Sequence, residues 1–247
     1  MSRSEAFPVV VTGGSRGIGA ATVALLAGRG HPVVFSYASN DAAARALCDR
    51  VAEEGGHAVA CKGDAAAEGA VAALFATCVD RFGAPGGVFA NAGITGPACG
   101  LGDLSADDLR RVLDVNVAGT FLTAQAALRT MPDGGAIVLM SSRAGRLGGA
   151  GEWLHYAASK GAIDTLCVGL AQEAGPKGFR VNAVAPGLIE TEIHAAAGRG
   201  DRLKTAGTAV PLGRTGTAEE VARTVVWLMS DDASYISGTI VDISGGR

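Results

Sequence analysis

Short unbroken apolar runs alternate along this chain with alanine-rich stretches of helical periodicity. An unbroken run offers no polar face to solvent, so it suits a strand covered on both sides, as in a parallel sheet. The pattern predicts strands at 9–12, 33–37, 58–61, 87–90, 136–140, 180–184 and 239–243. Between them it predicts helices at 17–29, 41–54, 67–82, 105–130, about 152–174 and 217–230. Ser105, followed by Asp107 and Asp108, reads as an N-cap with carboxylates in the first turn. Strand–helix alternation of this kind predicts an α/β fold, a doubly wound seven-stranded parallel sheet with helices on both faces. No repeat or linker interrupts it, so residues 1–247 are expected to form a single domain. The stretch 186–215, with five glycines and little periodicity, is expected to be a loop that closes on substrate.

Two places carry candidate chemistry. In the first, Ser142 follows the apolar run 136–140, and Tyr156 and Lys160 stand four apart, stacked on one helical face. A free phenol has a pKa of about 10, so one that works near neutral pH needs it lowered by roughly three, about 4 kcal/mol. A nearby cation supplies about one to three of those. Lys160 alone is marginal, and a second positive charge, such as an oxidised nicotinamide ring, is wanted. In the second place, Thr12-Gly13-Gly14-Ser15-Arg16-Gly17-Ile18-Gly19 joins the first strand to the first helix. Glycines there allow a tight turn and let phosphates reach N–H groups at the positive helix end. The same letters contain Gly-x-Ser-x-Gly, which leaves open a hydrolase built on Ser15 with a later acid and His194.

The end of the second strand reads Phe35-Ser36-Tyr37-Ala38-Ser39-Asn40 without an acid. An acid there would bond the adenosine ribose and repel a 2′-phosphate. With Arg16 able to pair with that phosphate, and Ser36, Ser39 and Asn40 able to donate to it, NADP(H) is favoured and NAD(H) stays open. Asp41, next to Asn40, is expected to start a helix rather than face the ribose.

Composition narrows the class. With 247 residues, 48% of them hydrophobic, the chain can bury a large core. A net charge of −3 and a pI near 5.8 speak against nucleic acid or an anionic membrane as main partner. The first apolar run is too short for a signal peptide or a membrane span, so a cytoplasmic location is expected. Five scattered cysteines without a Cys-x-x-Cys pair read as small buried thiols. Four scattered histidines form no ligand pair, so no metal is expected. His155 reads as a pocket wall or a packed side chain. Arg143, Arg146, Glu152 and Trp153 flank the same stretch.

Taken together, these motifs resemble the short-chain dehydrogenase/reductase family across residues 9–246, in particular NADP-type members such as 3-oxoacyl-acyl-carrier-protein reductases and glucose dehydrogenases. The resemblance implies a Rossmann fold and hydride transfer between a nicotinamide and a carbonyl or secondary alcohol. It implies Ser142, Tyr156 and Lys160 as catalytic residues, with Asn116 of Asp114-Val-Asn-Val positioning a water behind Lys160. It implies cofactor contacts from Gly13, Ser15, Arg16, Gly17, Ile18, Gly19, Ser36, Tyr37, Ser39, Asn40 and Asp64. Asn91-Ala92-Gly93, Tyr156, Lys160, Pro186, Gly187, Ile189 and Thr191 complete that set. Ala90 stands where a second asparagine is common, and the stretch from Ser142 to Tyr156 is about one residue longer than usual. Relatives form homotetramers through helices matching 105–130 and 152–174, so a tetramer acting on a small molecule is expected. A catalytically idle NADPH-binding regulator is a further reading, against which the intact set of four weighs.

Overall fold

The computed structural model describes residues 6–191 and 210–247. Seven strands form one sheet: β1 (Val9–Val11), β2 (Val33–Tyr37), β3 (Ala58–Lys62), β4 (Gly87–Ala90), β5 (Ala136–Met140), β6 (Arg180–Pro186) and β7 (Ile240–Ile243). Their order is β3-β2-β1-β4-β5-β6-β7, and every pairing is parallel. The strand order reverses between β1 and β4, so the loops after these two strands part and open a crevice at their carboxyl ends.

The apolar runs are explained by burial on both faces. Val9 and Val11 share a core with Val23 and Leu26 of α1 (Gly17–Gly28) and with Val225 and Leu228 of α8 (Ala218–Met229). Val10, between them in sequence, points to the other core. There it joins Val88, Leu74 of α3 (Glu68–Phe82), Ala124 of α5 (Gly119–Thr130) and Ile163 of α7 (Leu154–Ala174). The period of two along each strand thus sends alternate residues to two helical layers. Among the described residues the remaining α-helices are α2 (Asp41–Glu53), α4 (Ala106–Leu113) and the short α6 (Ala144–Leu147).

Local signals fix the helix ends. Ser105 caps α4 by accepting the Asp108 N–H at 3.0 Å, and Thr217 and Glu220 form a reciprocal capping box on α8. The structure departs from the predicted pattern in three places. The helix predicted over 105–130 is interrupted by a π turn, Asp114–Ala118, between α4 and α5. The glycine-rich stretch before Tyr156 contains α6, so α7 begins at Leu154. β6 runs to Pro186, two residues past its predicted end. Of the segment 186–215, residues 192–209 lie outside the described residues; at its flanks Ile189 bridges Gly216. Cys78 and Cys167 are buried, while Cys48, Cys61 and Cys99 are only half-buried, a partial correction to the reading of small buried thiols. Among the described residues no helix is long and apolar enough to cross a membrane.

Candidate active site

The crevice is a cleft of about 890 Å³. One end is built by the glycine turn after β1. Thr12 Oγ1 accepts the N–H groups of Asn91 and Ala92 at 3.0 and 3.1 Å, and Asn91 Nδ2 donates to the carbonyls of Thr12 and Gly13, both at 2.9 Å. The turn is thereby stitched to the loop after β4. It is also stitched to β2, since Gly13 N–H donates to Ser36 Oγ at 3.2 Å and Gly14 N–H to the Ser36 carbonyl at 2.8 Å. This compression is what demands glycine. Gly13 has φ +65°, and a Cβ there would stand 2.9 Å from Ala92 Cα; one on Gly19 would strike the Gly13 carbonyl. The first turn of α1 has neither a capping side chain at Arg16 nor an acid. Its unsatisfied N–H groups, on a wall of the cleft, suit a pyrophosphate.

Beyond the turn, Arg16, Tyr37, Ala38, Ser39 and Asn40 line the end of the cleft past β2. Ser36 also lines this end, and its Oγ accepts the Gly13 N–H, which ties it to the loop and leaves its O–H to donate into the cleft. Asn40 spends its carbonyl oxygen on the Ala43 N–H as the cap of α2. Asp41 opens that helix as expected and is held by Lys62 Nζ at 2.9 Å and the Tyr37 hydroxyl at 3.0 Å. Asp64 lies on the cleft wall, where it accepts the Ala66 N–H at 3.0 Å and pairs with Arg111 at 2.8 Å.

The other end gathers the candidate catalytic groups. The Ser142 hydroxyl, just past β5, accepts the Ala144 N–H at 3.2 Å, reaches the Pro186 carbonyl at 3.5 Å and is close enough to the Tyr156 phenol to favour its ionised form. Lys160 Nζ donates to the Met140 carbonyl at 2.8 Å and lies 5.6 Å from the Tyr156 ring centre. Burial pulls the Lys160 ammonium down to about 8, against an opposing pull from Asp164. Burial pushes the Tyr156 phenol up, and the Ser142 hydroxyl pulls it back. The polypeptide alone therefore keeps the phenol protonated. That makes it a ready acid, and work as a base needs a further positive charge beside it.

Asn116 sits differently. It is 0% exposed and does not line the cleft. The π turn aims its amide at Ile94, whose N–H it accepts and whose carbonyl it bonds, both at 2.8 Å, and at Ser159 Oγ at 2.9 Å. It clamps the segment after Gly93 to α7, next to Lys160, and so positions other groups. A Cβ on Gly93 would stand 3.2 Å from Asn116 Oδ1 and 3.4 Å from Lys160 Nζ, so all three meet closely.

Pro186, Gly187, Ile189 and Thr191 form the facing wall. The Pro186 carbonyl accepts the Arg143 N–H at 3.0 Å, and Gly187 N–H donates to the Ile243 carbonyl at 2.9 Å. Toward the substrate side the lining includes Thr95, Gly96, Leu147, Glu152, Trp153 and Leu188. Arg143 also lines it and pairs with Asp242 at 2.7 Å. Arg146 pairs with the same carboxylate from outside the cleft, and His155 is buried behind Gly96. Among the described residues no histidine lines the cleft that Ser15 faces, and His194 lies outside the described residues.

Sequence reasoning passes over Thr12, Arg111 and the pair Ser141–Asp164. Only the last leaves a readable trace, since Asp164 continues the four-residue spacing of Tyr156 and Lys160.

Comparison with known proteins agrees with this geometry. The family model described as enoyl-(acyl carrier protein) reductase matches residues 13–247. The uncharacterised oxidoreductase YgfF of Escherichia coli is 45% identical, over 96% of this chain and 98% of its own. The versicolorin reductase stcU of Emericella nidulans is 38% identical over 96% and 94%. Among solved structures, a mutant of a Serratia marcescens short-chain dehydrogenase/reductase superposes with a TM-score of 0.91 at 37% identity, covering 97% of each chain. A short-chain dehydrogenase from Burkholderia cenocepacia, solved in complex with NADP, gives 0.91 at 34% identity, covering 96% of each. With matching motifs, sheet order and near-complete coverage, the chain belongs to the short-chain dehydrogenase/reductase family of oxidoreductases.

Proposed function

We propose that this protein interconverts a carbonyl compound and a secondary alcohol with NADP(H), with Tyr156 as the acid and base. When bound, the nicotinamide supplies or accepts the hydride. The chain's own residues do the rest. Tyr156 gives its phenolic proton to the carbonyl oxygen in reduction and takes it back in oxidation. Ser142 holds that oxygen where negative charge develops. Lys160, 2% exposed and fixed by the Met140 carbonyl, favours the phenolate when Tyr156 has lost its proton. Gly13 to Gly19, Asn91 to Gly93 and Pro186 to Thr191 would hold the dinucleotide, with Arg16, Ser39 and Asn40 toward a 2′-phosphate and Asp64 toward the adenine.

The observation that carries this reading is the convergence of Ser142, Tyr156 and Lys160 on one wall of the cleft that begins at the uncapped glycine turn. Following NADPH absorbance across aldehydes, ketones, diketones, β-ketoacyl thioesters and, in reverse, sugars tests it and narrows the substrate. Tyr156→Phe should lower turnover on any substrate found by about 10²–10⁴, the usual worth of general acid–base catalysis, while NADPH still binds. Near wild-type turnover in that variant would overturn the assignment.

Association of four copies through α4–α5 and α7 belongs to the same proposal. It is supported by large apolar side chains left exposed there, Leu109, Leu113, Phe121 and Val168.

A further inference from the structure

On α7 the spacing that links Tyr156 to Lys160 runs one step further, to Asp164. Each of the three meets one residue at the end of β5. The Ser142 hydroxyl acts on the Tyr156 phenol, the Met140 carbonyl accepts from Lys160 Nζ at 2.8 Å, and Ser141 Oγ donates to Asp164 Oδ1 at 2.5 Å. Ser141 also reaches the main-chain oxygen of Lys160 at 3.3 Å, and both residues are buried. Residues four apart on a helix are neighbours on one face. The lower end of the catalytic row therefore closes on a carboxylate whose orientation is set by the same strand end that seats the ammonium.

An ammonium this dry is costly unless opposite charge compensates it. The Met140 carbonyl is a single neutral acceptor. Among the described residues no carboxylate closes an ion pair on Lys160, and Asp164 is the acid whose field acts on it. The charged groups on elements packed against α7 are engaged elsewhere. Arg146 of α6 pairs with Asp242, Arg180 of β6 donates to the carbonyls of Leu228 and Ser230, and in α4 Arg111 pairs with Asp64 and Arg110 with Asp107. Asp108 at the start of α4 is bonded by Ser105, and β5 carries no charged side chain. Asp114 of the π turn and Lys177 after α7 are exposed to solvent. On α7 itself, Tyr156 faces Lys160, His155 lies buried behind Gly96, Cys167 is a thiol that burial keeps neutral, and Glu173 is exposed.

We propose that Asp164, oriented by Ser141, is the counter-charge that keeps the buried Lys160 ammonium protonated beside Tyr156, a positioning residue acting through Lys160. The proposal rests on the assignment of Lys160 above, but its test does not need turnover. The chain has four lysines, at 62, 160, 177 and 204, so ¹³C-labelled lysine side chains give a sparse spectrum, and the signal lost in Lys160→Met identifies Lys160. In cofactor-free protein, Asp164→Asn removes the opposing negative charge, so the Lys160 titration midpoint is expected to fall by roughly half to one pH unit, the effect of a partly screened charge nearby. Ser141→Ala, which keeps the carboxylate but unlatches it, is expected to give a smaller move in the same direction, and Asp164→Glu to recover most of the wild-type midpoint. In turnover, the alkaline limb of kcat, where the ammonium is needed, should come in at lower pH in Asp164→Asn. An unchanged Lys160 midpoint in Asp164→Asn overturns the proposal whatever the loss of stability. If that variant does not fold, an unchanged midpoint in Ser141→Ala does so. Failure to find any carbonyl or alcohol substrate would remove the functional assignment and leave the lysine titration to be judged by itself.

Discussion

At the scale of single residues, the cleft just past β2 shows how one hydroxyl can serve two partners. Ser36 Oγ accepts the Gly13 N–H, so this residue shapes the turn while its O–H proton is left to donate toward a 2′-phosphate. A carboxylate placed at Ser36 would disturb the turn along with the phosphate and so report on both. Ala38 is the cleaner position, exposed on the cleft wall just past β2 with no side chain to lose. Wild-type protein is expected to bind NADPH more tightly than NADH, because Asp41 is neutralised by Lys62 and Arg16 lines the cleft. Ala38→Asp should weaken NADPH about tenfold or more, roughly 1.4 kcal/mol, and leave NADH unchanged or improved. Fluorescence titration of both cofactors checks this, and equal weakening of the two would assign the preference elsewhere.

At the scale of elements, the π turn between α4 and α5 is where packing, not pattern, places a side chain. One extra residue in a turn rotates all later positions about the helix axis, so Val115 and Asn116 are both buried, and the amide reaches Ile94 and Ser159. Asn116→Ala would leave the half-buried N–H and carbonyl of Ile94 without these partners, a loss of about 1–3 kcal/mol at ~0.5–1.5 per bond. Denaturant unfolding should show that loss. kcat should fall more than KM rises, because the clamp holds the segment after Gly93 against Lys160, and an unchanged kcat would reduce the clamp to a purely structural one. Such a turn is illegible in the sequence, since apolar spacing runs on through 105–130. The strands are legible for the opposite reason: a strand covered on both faces must be apolar throughout, as Val9–Val11 and Ala136–Met140 are. Tyr156 and Lys160 are legible because a spacing of four on a helix fixes a shared face without knowledge of the fold. The tether of Ser36 to Gly13, the stitching of Asn91 to Thr12 and the pairing of Arg111 with Asp64 join residues far apart in sequence, and no local pattern encodes them.

At the scale of the whole molecule, the buried groups make stability depend on pH in a way the net charge does not suggest. Lys160 sits at about 8 in the fold against an ordinary value of 10.5. Between those values the unfolded chain holds the proton and the fold does not, so stability rises with pH across that window. Cys78 and Cys167 act with the opposite sign. Burial pushes them up to about 11 and about 12 from 9.0, so above pH 9 the fold keeps protons that the unfolded chain loses, and stability falls. Tyr156, also pushed up by burial, adds to the fall above 10. Cofactor-free protein kept reduced should therefore gain stability from about pH 8 to about 9 and lose it at higher pH. Lys160→Met separates the two contributions, because it leaves the thiols untouched. The unfolding free energy of wild type minus that of the variant should grow with pH between about 8 and about 10, by at most about 1.4 kcal/mol per pH unit. Urea unfolding at fixed salt across that range measures it. A difference that stays flat would mean that the ammonium is better solvated or better paired than its seat on the Met140 carbonyl allows, and it would take the dry setting of Tyr156 and Lys160 on α7 down with it.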